Sequence, residues 1–256
     1  MDSIEFSTLA ICCFAALLAG FIDAIAGGGG LIQLPVLLIN LPNTFLPSVI
    51  GTNKFPNFLG TGIAAFQYFK KFRVEWHKII MPLIFIFLGA LSGTYCLGFV
   101  DTMFFKYVLF FVLLLLAIFL MFNKNFGQNI KPKKINNAAF YVAIFCCGFY
   151  DGIIGPGTGI LLILLMIWAK GYDFMHASAY AKIINLSSNF ASILLFVAHN
   201  NIIWALAIPM SCCNIVGAYT GSRMAILRGN NFIRYVFFIV IILLLVRFAW
   251  ELFFKK

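Results

Sequence analysis

Two lysines lie inside long apolar segments, and each is followed by an asparagine three residues later. Lys54 precedes Asn57, and Lys182 precedes Asn185. Residues three apart share one face of a helix, so each pair would place a cation beside an amide. A basic residue inside a membrane helix is costly and usually faces a pathway or a partner. The spacing predicts two anion-binding faces, with the alternative that each lysine extends from an early helical turn to the membrane interface.

Two acidic residues stand four positions before clusters of glycine. Asp23 precedes Gly27, and Asp151 precedes Gly155. A carboxylate at such a place could pair with one of the lysines, bind a coupling proton, or serve as a structural ion pair or helix cap. The sequence leaves these alternatives open, and it makes both aspartates candidates for proton coupling.

The glycine clusters, Gly27–Gly30 and Gly155–Thr158, interrupt apolar helices at matching places. Glycine permits unusual backbone angles and Pro156 lacks an N–H group, so each cluster should break a helix. A broken helix is tolerated at membrane depth where it lines a cavity, and the following helix points its N–H groups there. We predict an anion site at these groups; the alternative is a packing notch or a plain loop. The candidate residues are Gly29, Gly30, Gly157 and Thr158, within the stretches Gly29–Leu31 and Gly157–Gly159.

These features recur because the chain is a gapless duplication. A shift of 128 residues superposes polar and glycine positions that chance rarely matches: Asp23 on Asp151, Lys54 on Lys182, Asn57 on Asn185, Trp76 on Trp204, and the Gly89/Gly93 pair on Gly217/Gly221. We therefore predict two four-helix repeats, residues 1–128 and 129–256, that together form one transmembrane domain. The Gly-x-x-x-Gly pairs would let helices pack closely, and the two tryptophans would lie at the membrane interface.

The composition places the duplicated chain in a lipid bilayer. Of its 256 residues, 63% are hydrophobic and 10% are charged, whereas a soluble domain has roughly 45–50% apolar and about 25% charged residues. Crossing a hydrocarbon core of about 30 Å takes roughly 20 helical residues. The apolar runs predict an all-α polytopic membrane protein with about eight transmembrane helices. The runs at 31–40 and 159–169 are too short to cross, so each should be a half-helix after a glycine break, either re-entrant or continuing an interrupted helix.

The positive charges are distributed differently in the two halves. The formal net charge is +10, and the basic residues crowd into short gaps between apolar runs, which is typical of cytoplasmic loops rather than of nucleic-acid binding. The gap at 70–78 carries four basic residues, but its counterpart at 199–201 has no Lys or Arg. The gap at 99–102 has none either, but its counterpart at 223–234 has three arginines. This exchange predicts two inverted repeats, although the two C-terminal lysines fit that topology poorly.

Other chemistries lack the residues that they need. The 7 cysteines include no Cys-x-x-Cys, and the 3 histidines do not cluster, so we expect no metal site, no cofactor and no redox relay. The sequence has no nucleophile–base pattern and no ATP-binding motif, which argues against an enzyme and against direct use of ATP. The glycine clusters also lack the strand–turn–helix setting of a nucleotide-binding loop.

The motifs around the glycine clusters resemble those of the sulfite exporter TauE/SafE permeases. The residues that carry the resemblance are Gly20–Gly30, Pro35 and Gly51–Lys54 in the first half, and Gly148–Gly159, Lys182 and Asn185 in the second. The resemblance covers nearly the whole chain and implies a multi-pass permease of the bacterial inner membrane, with about eight helices from a duplicated unit. Members of the family are linked to export or uptake of sulfite, sulfonates and related organic anions. Ala181 stands before Lys182 where Asn53 stands before Lys54, so the two halves need not bind a solute equally.

These observations together predict a secondary transporter for a small anion, with its site near mid-membrane where the two glycine breaks meet. The lysines would supply charge, the asparagines hydrogen bonds, and one of the two aspartates a coupling proton. The alternatives are a passive anion channel and a non-transporting membrane scaffold. A scaffold would not need paired lysines and aspartates inside the membrane, so those residues count against it. The expected partners are the lipid bilayer and the anion, and assembly into a homo-oligomer is left open.

Overall fold

The computed structural model describes residues 5–72, 74–100, 107–108, 111, 114 and 136–253. Throughout these residues the regular secondary structure is helical, without strands, and this confirms the predicted all-α class. The helices are α1 (Phe6–Ala26), α2 (Gly30–Asn40), α3 (Leu46–Lys71), α4 (Trp76–Leu97), α5 (Asn137–Ile153), α6 (Thr158–Lys170), α7 (Phe174–Ala198) and α8 (Trp204–Phe253), the last broken at Gly229. Most of the apolar stretch at 103–122, the predicted repeat boundary at 128/129 and the C-terminal lysines lie outside the described residues.

The apolar segments form helices that turn large side chains outward and keep charges inside. Helices α1, α4 and α7 are each long and apolar enough to cross a membrane. Phe6, Phe14 and Tyr95 are at least 65% exposed, whereas Lys54 and Lys182 are only 2% and 1% exposed. Lipid accepts exposed apolar groups but not charges, so this arrangement fits a polytopic membrane protein.

Equivalent helices of the two halves run in opposite directions. Gly51 of α3 lies against Phe196 of α7, and Gly62 of α3 lies against Leu186 of α7. Residue numbers therefore rise along α3 as they fall along α7, which makes these two helices antiparallel. Because α3 and α7 occupy the same place in their repeats, the halves are inverted, as the exchange of basic loops predicts.

The first helix of each half packs against a helix of the other half that carries a Gly-x-x-x-Gly pair. The most extensive helix contacts are those of α1 with α8 and of α5 with α4. A Cβ added at Gly217 or Gly221 would lie 2.0 or 2.3 Å from main-chain oxygens of α1. A Cβ added at Gly89 or Gly93 would lie 2.2 or 2.1 Å from those of α5. The Gly-x-x-x-Gly pairs therefore serve close helix packing, as predicted.

Helices α1 and α2 form a hairpin that enters the protein and returns. Helices α1 and α3 run in the same direction, because both lie parallel to the first part of α8. Helix α2 runs against α3, since Gly30 lies beside Asn57 and Gln33 lies beside Asn53. Helix α2 therefore returns toward the side from which α1 starts, which makes this pair of helices re-entrant.

The second half contains the corresponding hairpin, formed by α5 and α6. The ammonium of Lys170, at the end of α6, lies 4.2 Å from the ring centroid of Phe140, near the start of α5. Helix α6 therefore ends beside the start of α5. Of the two alternatives that the sequence leaves open for the short helices, the re-entrant one is correct in both halves.

Candidate functional site

The tips of the two hairpins touch each other. Gly27 has a φ of 83°, in the left-handed region, and a Cβ added there would lie 2.6 Å from the carbonyl carbon of Gly159. A Cβ added at Gly159 would in turn lie 2.6 Å from the oxygen of Gly27. Gly30 of the first hairpin also lies against Pro156 of the second. The absence of side chains allows this approach, so the two glycine breaks meet, as the sequence predicts.

A small cavity lies where the tips meet. Its volume is about 20 Å³, which is room for about one water molecule. Charged and amide side chains of both halves line it, together with glycines of both breaks. The lining residues are Asp23, Gly27, Gly30, Asn53, Lys54, Asn57, Thr61, Asp151, Gly155, Gly157, Gly159, Asn185 and Asn189. A cavity of this size is too small for an organic anion.

Most of the residues that the sequence singles out line this cavity. Lys54, both aspartates and both asparagines do so, as do Gly30 and Gly157. Lys182 is outside the lining, and it contacts the lining residue Asp23 through their ion pair. Gly29 is not part of the lining, and its N–H donates to Asp23 Oδ1 at 3.4 Å. Thr158 is also outside the lining, and its hydroxyl donates to the Gly155 oxygen at 2.7 Å. The part of these residues in anion binding stays a prediction.

Turns within the breaks use some of the backbone N–H groups predicted to face an anion. The N–H of Leu31 donates to the Gly28 oxygen at 3.1 Å. The N–H of Thr158 donates to the Gly155 oxygen at 3.2 Å. The breaks therefore offer fewer N–H groups to the cavity than a plain helix N-terminus would offer, and the side chains carry more of the site's polarity.

Two buried ion pairs connect the halves crosswise. Lys54 Nζ lies 2.5 Å from Asp151 Oδ2, and Lys182 Nζ lies 2.7 Å from Asp23 Oδ2. Each lysine thus pairs with the aspartate of the other repeat. Two cations and two anions around one cavity sum to zero net charge, which limits the cost of burying them. Because both lysines are buried in these pairs, the alternative in which they extend to the membrane interface is wrong.

The pair formed by Asp23 and Lys182 is tied to the backbone. The Asp23 carboxylate also accepts from the Thr61 hydroxyl at 3.2 Å and from a main-chain N–H at 3.4 Å. Lys182 also donates to the main-chain oxygen of Asp23. In the other pair, the second acceptor of Lys54 is the side-chain oxygen of Asn189, at 3.2 Å. The pair formed by Lys54 and Asp151 is therefore held by side chains.

A chain of buried amides lies beside the cavity, and comparison of the two repeats does not find it. Asn214 Nδ2 donates to Gln33 Oε1 and to Asn57 Oδ1, each at 3.2 Å. Gln33 Nε2 donates to the Asn53 main-chain oxygen at 3.2 Å. The residues that correspond to Gln33 and Asn214 in the other repeat, Leu161 and Ile86, are apolar, so a search for matched positions misses both amides. The signal that could find them is an amide inside an otherwise apolar helix.

The side chains around the cavity suit the binding of ions. Lysines and amides can donate to an anion, and a carboxylate can hold or release a proton. Within the part of the chain that the structure describes, no three His, Cys, Asp or Glu side chains lie close enough together to hold a metal ion.

Comparisons with known proteins agree with a membrane transporter. The family model described as sulfite exporter TauE/SafE matches residues 12–248. A probable membrane transporter protein of Haemophilus influenzae is 35% identical over 229 residues, which cover 88% of each chain. The probable membrane transporter protein ORF9 of a Sinorhizobium species is 31% identical over 249 residues, or 96% of this chain and 94% of that one. The probable membrane transporter protein YfcA of Escherichia coli K12 is 29% identical over 233 residues, or 91% and 86% of the two chains. No solved structure matches the chain.

The matched segment includes every residue that lines the central cavity. The relatives that align over most of their length are named as membrane transporters. Their names agree with the helical fold, the lipid-facing apolar side chains and the interior charges described above. The chain therefore belongs to the sulfite exporter TauE/SafE family of membrane transporters.

Proposed function

We propose that this protein is a secondary permease that carries a small anion, such as sulfite, a sulfonate or a related organic anion, across the inner membrane of a bacterium. The observation that carries the proposal is the crosswise arrangement of two ion pairs where the hairpins meet. A lysine that is held in the interior by a carboxylate can exchange that partner for an anionic solute. Inverted repeats that meet at such a site suit alternating access, in which one repeat moves against the other.

Charge balance favours coupling of the anion to a proton. The two ion pairs at the cavity, each of one lysine and one aspartate, together carry no net charge. A monovalent anion that entered alone would leave an uncompensated buried charge, at a cost on the order of several kcal/mol. A proton taken up by one aspartate restores neutrality and frees a lysine to pair with the anion. We therefore expect the anion and the proton to move together.

Of the two aspartates that the sequence marks for proton coupling, Asp151 suits that role better. Its partner Lys54 is held by side chains, so loss of the carboxylate charge lets the ammonium turn to a solute. Lys182 keeps the main-chain oxygen of Asp23 as an acceptor even when the Asp23 carboxylate is neutral. Opening the pair with Asp151 releases a cation, whereas opening the other pair leaves its lysine anchored.

Two larger hollows lie at opposite ends of α4 and suggest the routes to the site. One has a volume of about 270 Å³ and is lined by Thr94, Tyr95 and Phe196, among others. The other has a volume of about 410 Å³ and includes Lys78 and Lys170 in its wall. Among the described residues, neither hollow shares a lining residue with the central cavity. A small central cavity with a separate hollow toward each end of α4 suits alternating access, in which the site opens to one side at a time.

Flux through reconstituted protein tests the proposal. Labelled sulfite, sulfate, methanesulfonate and acetate would be offered to proteoliposomes with and without an imposed pH gradient. We expect at least one of these anions to accumulate when the gradient is present. Rapid flux that ignores the gradient would indicate the passive channel instead. No flux of any of the four anions under either condition would contradict the proposal and favour the scaffold.

Asp151→Asn is expected to separate anion movement from the proton gradient. The amide imitates the protonated carboxyl, so Lys54 stays free for the anion whatever the pH. Gradient-driven uptake should fall about tenfold or more, while exchange of internal for external anion stays within about threefold of the wild-type rate. Both fluxes would be measured in the same vesicles. The control is Asp173→Asn, which changes an exposed acid at the start of α7. Full gradient-driven uptake by Asp151→Asn would remove Asp151 as the proton carrier.

A further inference from the structure

The amide chain beside the cavity has no counterpart under the repeat. Gln33 and Asn214 are 0% and 1% exposed. A shift of 128 residues places Leu161 at the position of Gln33 and Ile86 at that of Asn214. Apolar side chains thus stand at both equivalent positions, so packing alone does not require amides here. Buried amides are costly unless they are paired, and their presence at only one of the two related places indicates that they orient something.

A main-chain oxygen fixes the direction of each hydrogen bond in this chain. The Asn53 carbonyl can only accept, so Gln33 must turn its Nε2 toward it. Gln33 Oε1 then faces Asn214, which must donate from Nδ2. The same Nδ2 donates to Asn57 Oδ1. Asn57 is therefore left with its own Nδ2 for the cavity.

Asn57 presents that nitrogen at the contact between the hairpins. The residue lines the cavity, and its Nδ2 lies 3.6 Å from the place where a Cβ on Gly30 would be. Lys54, three residues earlier in α3, lines the same cavity. One helix thus turns a cation and an N–H₂ group to one space. The oxygens of an oxyanion only accept hydrogen bonds, so both groups suit such a ligand.

Asn185 meets a hydroxyl where Asn57 meets an amide. The single proton of the Ser188 hydroxyl goes to the Asn185 main-chain oxygen at 2.8 Å rather than to Asn185 Oδ1 at 3.2 Å. The residue equivalent to Ser188 is Gly60, and a Cβ added there would lie 1.9 Å from Asn214 Oδ1. Asn214 therefore occupies space that a side chain at position 60 would need. It gives Asn57 a firm amide donor, which Ser188 does not give Asn185.

We infer that Asn214 is a positioning residue for the bound anion. Supported by Gln33, it holds the Asn57 amide so that the N–H₂ group donates to one oxygen of the solute while Lys54 pairs with another. This inference rests on the proposed function and deepens it, because it names the ligand class as an oxyanion with at least two acceptor oxygens. It also assigns the first half a binding role that does not depend on the repeat symmetry.

Asn214→Leu tests the inference, because leucine keeps the shape of the side chain and loses both hydrogen bonds. The assay is the initial rate of uptake, in proteoliposomes, of whichever of sulfite, sulfate, methanesulfonate and acetate the wild-type protein carries. The half-saturating concentration should rise about tenfold while the maximal rate changes by less than about twofold, since binding is weakened and movement is not. The matched control is Ser222→Ala in the same helix, whose hydroxyl donates to the Ala218 oxygen away from the cavity. A wild-type half-saturating concentration for Asn214→Leu would overturn the inference.

A double-mutant cycle with Asn57→Leu separates positioning from general stability. If Asn214 acts through Asn57, adding Asn214→Leu to Asn57→Leu should change the half-saturating concentration no further. Additive effects would overturn the inference and leave the anion site standing. Wild-type transport by Asn57→Leu alone, or no flux of the four anions in wild-type protein, would instead count against the proposed function. If Asn214→Leu does not fold, Gln33→Leu replaces it in the cycle, since leucine already stands at that position in the second half.

Discussion

Lys54→Met is expected to lower anion transport at least about a hundredfold in protein that still inserts into the membrane, a factor that corresponds to about 2.7 kcal/mol. Methionine is similar in length to lysine but carries no charge, so the anion would enter the cavity without a counterion. The cost of an unpaired buried charge is larger than that factor requires. Uptake of the four labelled anions in proteoliposomes, normalised to the amount of inserted protein, is the measurement. Lys182→Met should have an effect of the same order.

The partner left behind by the substitution has to be controlled. In Lys54→Met the Asp151 carboxylate loses its cation, and breaking a buried ion pair in this way costs about 3–5 kcal/mol of stability. The double variant Lys54→Met/Asp151→Asn removes both charges, so it should recover thermal stability in detergent without recovering transport. Lys71→Met, at an exposed lysine at the end of α3, should behave as wild type. Wild-type flux in both Lys54→Met and Lys182→Met would exclude the lysines from the mechanism.

The repeat pattern leads to the interior charges because polar matches are rare in so apolar a chain. Lys54, Lys182, Asp23 and Asp151 can be found by shifting the sequence against itself. Three of them line one cavity, and the fourth, Lys182, pairs with the lining residue Asp23. Their pairing cannot be found in that way. Both aspartates stand at the same place in their repeats, so either could face either lysine. The antiparallel course of α3 and α7 decides the matter, because it turns each lysine toward the hairpin of the other half.

Shifting the sequence against itself cannot find residues that differ between the two repeats. Gln33 and Asn214 have apolar counterparts, and Gly60 stands where the second half has Ser188. Their relation appears only in three dimensions, where Asn214 fills the space beside Gly60 and reaches Asn57 from a different helix. A duplicated chain can keep matched charges in both halves while residues that do not match orient the amides. The repeat in the sequence reveals the matched charges, but it does not reveal which residues orient the amides.

Gly27→Ala is expected to destabilise the protein by keeping the two hairpins apart. The φ of 83° alone makes a side chain costly there, at roughly 1–2 kcal/mol. The added Cβ would also lie 2.6 Å from the backbone of Gly159, and backbone cannot yield as a flexible side chain does. Overpacking of this kind typically costs about 1–3 kcal/mol. The two effects together predict a loss of about 2–5 kcal/mol, measured as a lower thermal midpoint and a lower yield of monodisperse protein in detergent.

Two other glycines separate backbone strain from crowding. Gly157 has a φ of 89° and a ψ of −5°, in the same left-handed region as Gly27, and an added Cβ would make only ordinary contact at 3.8 Å, so Gly157→Ala should show the strain alone. Gly62 lies inside α3 with ordinary contact to Leu186 at 3.6 Å, so Gly62→Ala should be neutral or stabilising by up to about 1 kcal/mol. If Gly27→Ala lowers the thermal midpoint no more than Gly157→Ala does, the hairpin tips can part without cost. The contact between the two breaks would then not be what holds the lysines opposite their aspartates. A clearly larger loss at Gly27 would show that the close approach of the tips itself stabilises the site.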